Sequence, residues 1–276
     1  MRRWLGPILL GLGVFLLVTA GMLRFFVADR LIVTPIDQFT QTVAVGPGTY
    51  FDAGVLQQKD ADLVARRTVR ADVAASDEHT GVWDVSVVLQ TGIGTFVRAT
   101  LDRVAMDRKT GESVNCCGEA VDSEAVRHSG LSYKFPFNTE QREYQLWDPN
   151  SRQAFPARFV AEEQVQGLTT YKFIQQVPGQ ELRRQEVPAS LVGESGTTFQ
   201  APVWYENVRT VWVEPRTGII VKGNEQNRTT LRNSQGEDRV TVVKFDLTFD
   251  EATQRSQADL AKENIRSIQL LSLIHI

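Results

Sequence analysis

The feature that most limits what this chain can become is a period of two. The stretch VWDVSVVLQ sets Trp83, Val85, Val87 and Leu89 on one side of an extended backbone and Asp84, Ser86 and Gln90 on the other. RVTVVKFDLTFD repeats the device, with Val243, Phe245, Leu247 and Phe249 opposed to Lys244, Asp246 and Thr248. Successive side chains of a strand point to opposite faces, so each stretch offers one face to a core and one to water. Strands of this kind build antiparallel sheets; those of a parallel sheet, covered on both faces, read as unbroken apolar runs. FVAEEQVQGLTTYKFIQQV adds a hairpin that turns near Gln166-Gly167. The predicted fold class is mainly β, within α+β, built on an antiparallel sheet.

Two further stretches share one turn. VAMDRKTGESV and VWVEPRTGIIV each run from apolar residues through an acidic residue, a basic residue and Thr-Gly into a resumed strand. Gly111 and Gly218 supply a positive φ at the end of a tight turn, and Pro215 pre-sets its first central residue. The two copies are either independent hairpins or the marks of two related half-domains; both readings give a meandering sheet. The strongest helix candidate in the body is Thr253 to Gln269, rich in Ala, Gln, Lys and Glu, with Leu260, Ile265 and Ile268 only partly amphipathic.

The N-terminus reads differently. After Arg2 and Arg3 an uncharged, mostly apolar run extends from Trp4 to Leu23. A membrane-crossing helix needs roughly 20 such residues. The two arginines favour a cytoplasmic N-terminus and a body outside the membrane; Arg24 and Arg30 weaken that bias without reversing it. The competing reading is a cleaved signal peptide with Val18-Thr19-Ala20 at the cleavage site. A buried soluble helix would need a polar face, which the run lacks. The expected plan is an anchor over 1–30, an extracytoplasmic β-rich domain over 31–252 and a helix over 253–270. Charge is near balance, at −3 over 276 residues with both signs dispersed, so no basic field marks a nucleic-acid partner.

Chemistry-bearing constellations are sparse. The only cysteines, Cys116 and Cys117, are adjacent, which excludes a disulfide framework and a Cys-rich zinc site. They can close a vicinal disulfide that stiffens a loop, stand as thiols, or pair between molecules. His79 and His128 lie at ligand spacing neither from this pair nor from each other, and His128 beside Ser129 reads as a surface histidine. There is no GxSxG elbow. Glu162 and Glu163 sit side by side on a predicted strand and point to opposite faces, so they cannot form an acid/base pair. GNEQN lacks the Gly-Lys-Ser/Thr end of a phosphate loop. The expectation is no enzyme, no cofactor and no metal. Phe135, Phe137, Tyr144, Trp147, Phe155 and Phe159 form the densest apolar cluster of the body. They read either as core packing or as a groove for an apolar ligand, with Pro136, Pro149 and Pro156 cutting the segment into short extended pieces.

LSYKFPFNTEQREYQLWDPNSRQAFPARF, followed by TYKF and VWVEPRTGIIVKGNE, resembles the actinobacterial PorA-type porin family over nearly the whole chain. The resemblance implies an envelope protein at the plasma membrane, with a helix near each end and an extracytoplasmic β-rich domain between them. It also implies channel formation, homo-oligomers and a second membrane span after the C-terminal helix. That span is not in this chain, whose last residues are LSLIHI, Leu271 to Ile276. These six residues are the translation of CTGTCTCTTATACACATC, a transposon end used in sequencing-library preparation, and are read as adapter-derived. Two functions are therefore expected. One is a contribution to an oligomeric pore; the other is a tethered module that binds envelope lipid or a protein partner. The few strands legible in the sequence, charged on their wet faces at Arg66, Arg70 and Asp72, argue against a barrel closed by one chain.

Overall fold

A computed structural model of the chain describes residues 2–22 and 32–273. Helix α1 spans Arg2–Met22. The body begins with β1 (Phe39–Asp52), β2 (Gln57–Ala71), β3 (Thr80–Thr91) and β4 (Phe96–Asp107), then the short β5 (Ala120–Val121) and β6 (Glu124–Ala125). It continues with β7 (Tyr144–Asp148), β8 (Gln153–Val165), β9 (Leu168–Pro188), β10 (Thr198–Glu214), β11 (Ile219–Arg232) and β12 (Asp238–Phe249). Helix α2 (Glu251–Leu273) closes the described chain. All twelve strands join one antiparallel sheet in the order β6-β5-β4-β3-β2-β1-β12-β11-β10-β9-β8-β7. The first and last long strands are neighbours at its centre, which brings the start of β1 and the end of β12 to the same rim. The sheet is much larger than the legible strands predicted.

The period of two is realised as expected. Trp83, Val85 and Leu89 are buried and Asp84 is exposed; Val243, Phe245, Leu247 and Phe249 are buried while Lys244 and Asp246 are exposed. The predicted hairpin joins β8 to β9 through Gln166 and Gly167, both at positive φ as a two-residue primed turn requires. The two Thr-Gly turns use one device. Asp107 accepts from the backbone N–H groups of Lys109 and Thr110, and Glu214 accepts from those of Arg216 and Thr217. Only the second is a full hairpin. After the first, the chain makes single bridges, Met106 to Ser113 and Glu112 to Leu131.

Those bridges shape the sheet. Leu131 also pairs in parallel with Leu146 of β7, so the segment after β4 reaches from one margin of the sheet to the other. The sheet is thereby curled into a half-barrel with an inner and an outer face. Close approach at Gly46 helps the bend, since a Cβ there would stand 2.0 Å from the Asp246 carbonyl oxygen across the β1–β12 seam. Plain alternation along β10 turns Val211 and Val213 inward and Trp212 out onto α2, while a bulge on β11 leaves Val221 unpaired beside Trp212.

Helix α2 covers the predicted 253–270 and extends it at both ends. Asp250 caps it by accepting from Thr253 N–H at 2.7 Å, and Thr253 Oγ1 in turn accepts from Val43 N–H of β1. Ala258 and Ala261 are fully buried at its contact with the sheet. The helix includes Leu271–Leu273; the rest of the adapter-like segment, 274–276, lies outside the described residues. At the other end, no helix among the described residues is long and apolar enough to cross a membrane. Leu23, Arg24 and Arg30 lie outside the described residues.

Candidate functional site

The inner face of the half-barrel is a chamber walled by β1–β4, β7 and β10–β12, with a cavity of about 110 Å³. One side is apolar: Val85, Val87 and Leu89 of β3, Val211 of β10, and Phe245 and Leu247 of β12. Among them stand charged side chains that occupy apolar positions of the alternation: Arg67 of β2, Arg98 and Asp102 of β4, Arg209 of β10 and Glu225 of β11.

Most of these charges are tied. Asp102 is 3% exposed; its Oδ1 lies 2.7 Å from His128 Nε2, and its Oδ2 accepts from the Tyr133 hydroxyl. His128 Nδ1 lies 3.4 Å from Glu119 Oε2, while Glu119 Oε1 accepts from Ala105 N–H. Burial alone would lower the His128 pKa, but Asp102 and then Glu119 outweigh it and raise it. Burial also pushes the Tyr133 phenol well above its ordinary value, reinforced by Asp102. His128 is thus a buried, charge-paired group and not the surface histidine that its polar sequence neighbours suggest. The segment carrying it tucks behind β4 on its way to the Leu131 bridge.

A second network centres on Arg209. Its guanidinium donates to the Trp147 carbonyl and to Gln175 Oε1, each at 3.2 Å, and lies 3.6 Å from Asp148 and 3.7 Å from Glu225. Asp148 also accepts from the Tyr205 hydroxyl and from Ser151. Burial pulls the Arg209 pKa down, yet Glu225 and Asp148 hold it above its usual range. Burial would raise the Glu225 carboxyl, and Arg209, then Arg67 and Arg98, together bring it below the usual carboxylate range.

Arg67 and Arg98 have no such partners. Among the described residues, Arg67 has a ring contact with Tyr133 at 5.5 Å and a buried Nε without a hydrogen-bond acceptor. Arg98 lies 5.9 Å from the Phe245 ring centroid, and among the described residues no carboxylate stands within ion-pair distance of either guanidinium. Lys134 donates to its neighbour's carbonyl, Phe135 O, and stands 3.8 Å from the Phe137 ring; burial takes its pKa down to about 7.

A second opening, at the rim where β1 begins and β12 stops, shares part of its wall with the chamber. Thr42, Arg67, Tyr133, Lys134, Ile220 and Phe249 line both. Toward the outside, this opening is bordered by Ile32, Val33 and Pro35 before β1, by Val69 and Trp83, and by Leu260 and Ile268 of α2.

The six aromatic residues of the predicted cluster do not share one place. Phe135 and Tyr144 are buried and pack with Phe173, at ring distances of 4.8 Å for Phe135–Phe173 and 5.8 Å for Tyr144–Phe173; Phe159 packs against the same cluster. Phe135 and Trp147 also line the chamber, Phe137 lines the rim opening, and Phe155 lies half-buried on β8. Cys116 and Cys117 are joined to each other in the loop after β4, where the Cys117 carbonyl accepts from Arg103. Among the described residues no cluster of His, Cys, Asp and Glu is arranged to hold a metal ion.

Sequence reasoning did not single out Arg67, Arg98, Asp102, Arg209 or Glu225. The available signal was a charged residue in phase with the apolar members of an alternating strand, as in LVARRTVRA, where Leu63, Ala65, Arg67 and Val69 share a face.

Comparison with known proteins places this body in context. The family model described as Porin PorA matches residues 5–275. A protein named Porin PorA from Corynebacterium amycolatum is 24% identical, the match covering 98% of this chain and 93% of that protein. Another of the same name, from Corynebacterium resistens, is 23% identical, covering 98% and 91%. A crystal structure described as that of a lipoprotein from Parabacteroides distasonis aligns over 78% of this chain and 96% of that one. Its identity of 11% and TM-score of 0.22 are too low to carry an argument. On the family match, which spans almost the entire sequence, the chain belongs to the PorA porin family.

Proposed function

We propose that the protein is a cell-envelope protein held at the plasma membrane through α1, with its β body outside the membrane as a chamber for an apolar envelope molecule. The observation that carries this reading is the contrast between the faces of the sheet. The outer face bears Arg66, Arg70, Asp84, Lys244 and Asp246, all exposed, and so cannot meet hydrocarbon across its middle. A lysine or arginine on the lipid face of a barrel costs about 2–4 kcal/mol at the bilayer midplane. The inner face is mostly apolar and encloses space. Support for attachment comes from α1, where Leu9, Leu10, Leu12, Val14, Phe15 and Leu17 are each more than half exposed among the described residues. A helix apolar all round needs lipid or other helices against it.

The relatives' name favours a second reading, a pore. With a charged outer face, the sheet is a poor wall for one. A channel would come from α1 and the expected second span, in an oligomer. Native mass spectrometry of the full-length protein, extracted with lipids retained, separates the readings. A monomer carrying a stoichiometric apolar molecule supports the chamber. A lipid-free ring-sized oligomer that gives stepwise conductance in planar bilayers would overturn it in favour of the pore. No enzymatic step is part of either reading.

A further inference from the structure

We propose that the chamber binds a single-chain anionic amphiphile, its carboxylate or phosphate head held by Arg67 and Arg98 and its chain lying along the apolar side formed by β3 and β12. This deepens the chamber reading and rests on it. The argument starts from unmet pairing. A buried charge is costly unless it is paired and hydrogen-bonded, and most of the other charged groups of the chamber obey that rule. Asp102 is met by His128 and Tyr133, and Arg209 by Asp148, Glu225 and Gln175. Glu225 is met by Asn207 at 3.0 Å and by Arg209. Lys134 is turned to a carbonyl and a ring. Besides Lys134, that leaves two partly buried guanidiniums, both close enough to Glu225 for their charges to act on its carboxyl and, among the described residues, with no anion of their own. One of them has a buried N–H lacking an acceptor. Guanidinium forks match the planar oxygens of carboxylate and phosphate.

The surroundings of the pair select the rest of the ligand. Arg98 abuts Phe245, and the adjoining wall is Val85, Val87, Leu89 and Leu247, suited to an alkyl chain rather than a free inorganic anion. Arg67 lines both the chamber and the rim opening, so a head group passing from the rim meets it on the way in. That rim carries the starts of β1 and α2, and its border of Ile32, Val33, Leu260 and Ile268 is apolar. A lipid leaving a bilayer next to this rim would meet this apolar border first, and then Ile220 and Phe249 beside the charged groups that line both openings.

The test uses the full chain in nanodiscs of zwitterionic lipid, titrated with oleate, oleoyl lysophosphatidate, oleyl alcohol, acetate and inorganic phosphate, with bound probe read by native mass spectrometry. The expected result is one oleate or lysophosphatidate per chain, bound at least about tenfold tighter than the alcohol, with acetate and phosphate silent. Which of the two heads binds better assigns carboxylate or phosphate. R67M/R98M removes the preference for the charged head and leaves alcohol binding unchanged. If that double variant does not fold, R67Q and R98Q singly lower the preference, with near-UV circular dichroism reporting the fold. Oleyl alcohol binding as tightly as oleate would overturn the head-group assignment while the chamber reading stands. Acetate or phosphate binding as tightly as oleate would overturn the amphiphile. Failure of every probe, alcohol included, would sink the chamber reading itself.

Discussion

The two faces of one sheet carry the same kinds of residue and put them to different uses. On the outer face Arg228 reaches Glu206 at 3.2 Å and also contacts Asp238, with Arg228 and Glu206 each 43% exposed. On the inner face Arg209 lies 3.6 and 3.7 Å from Asp148 and Glu225, with exposures of 14%, 0% and 26%. The inner contacts are the longer ones, yet they matter more. In water an exposed pair is worth about 0–1 kcal/mol because solvent screens it and side-chain entropy opposes it. Away from water, loss of one partner strands the other, at a cost of about 3–5 kcal/mol. Distance alone therefore ranks these pairs in the wrong order, and burial corrects it.

The largest effect should come from the apolar part of the inner face. Phe173 is fully buried where β9 meets Phe135, Tyr144 and Phe159. F173A should cost about 3–5 kcal/mol, against about 0.5 kcal/mol or less for V160A in the neighbouring strand β8, where Val160 is half exposed. Urea denaturation of the full chain in detergent measures both, and equal losses would show that the curled sheet has no true inside. Next, R209M should lose about 3 kcal/mol and R228M less than about 1 kcal/mol. A large loss from R228M would mean that the outer face is covered in the native assembly.

Titration sharpens the comparison with a smaller effect. The His128 pKa is raised in the fold, so the stability it adds is fully present below its unfolded value of 6.5 and is lost as pH rises through the folded value. Lys134 behaves oppositely. Its pKa falls from 10.5 to about 7, so between those values the unfolded chain holds the proton that the fold releases, and stability rises with pH. Denaturation midpoints from pH 6 to 9 should therefore show the wild type losing its advantage over H128Q as pH rises and gaining on K134M above pH 7. Parallel curves for all three proteins would remove both groups from the linkage.

The part of the sheet that was legible owes this to a local signal. Alternation around Trp83 and Phe245, the Gln166-Gly167 turn and the two Thr-Gly turns each depend on a few neighbouring residues. What was not legible depends on closure. Nothing near His128 in sequence announces Asp102 or Glu119, which reach it only because the segment after β4 crosses to β7 at Leu131. The β1–β12 seam joins residues some two hundred positions apart, so strand count and the chamber escaped a reading by windows. The chamber arginines were half legible. The Arg66-Arg67 doublet must send one side chain inward if LVARRTVRA is a strand, but only the fold shows that the inward one lacks a partner.

The smallest expected effect is also the one whose sign decides most. Lys244 is exposed on the outer face of β12, at the centre of the sheet. With water against that face, K244L removes a solvated charge that, among the described residues, has no ion-pair partner to strand, and stability should move by about 0.5 kcal/mol or less. With hydrocarbon there, the same substitution would remove an ammonium from lipid and stabilise the protein by about 2–4 kcal/mol in a bilayer, though not in detergent-free solution. Comparing K244L with wild type in vesicles thus asks which medium the outer face sees. A gain in bilayers would turn the half-barrel into a membrane wall and the inner charges into the lining of a channel. No change would leave the face in water and confine any membrane contact to the helices and the rim.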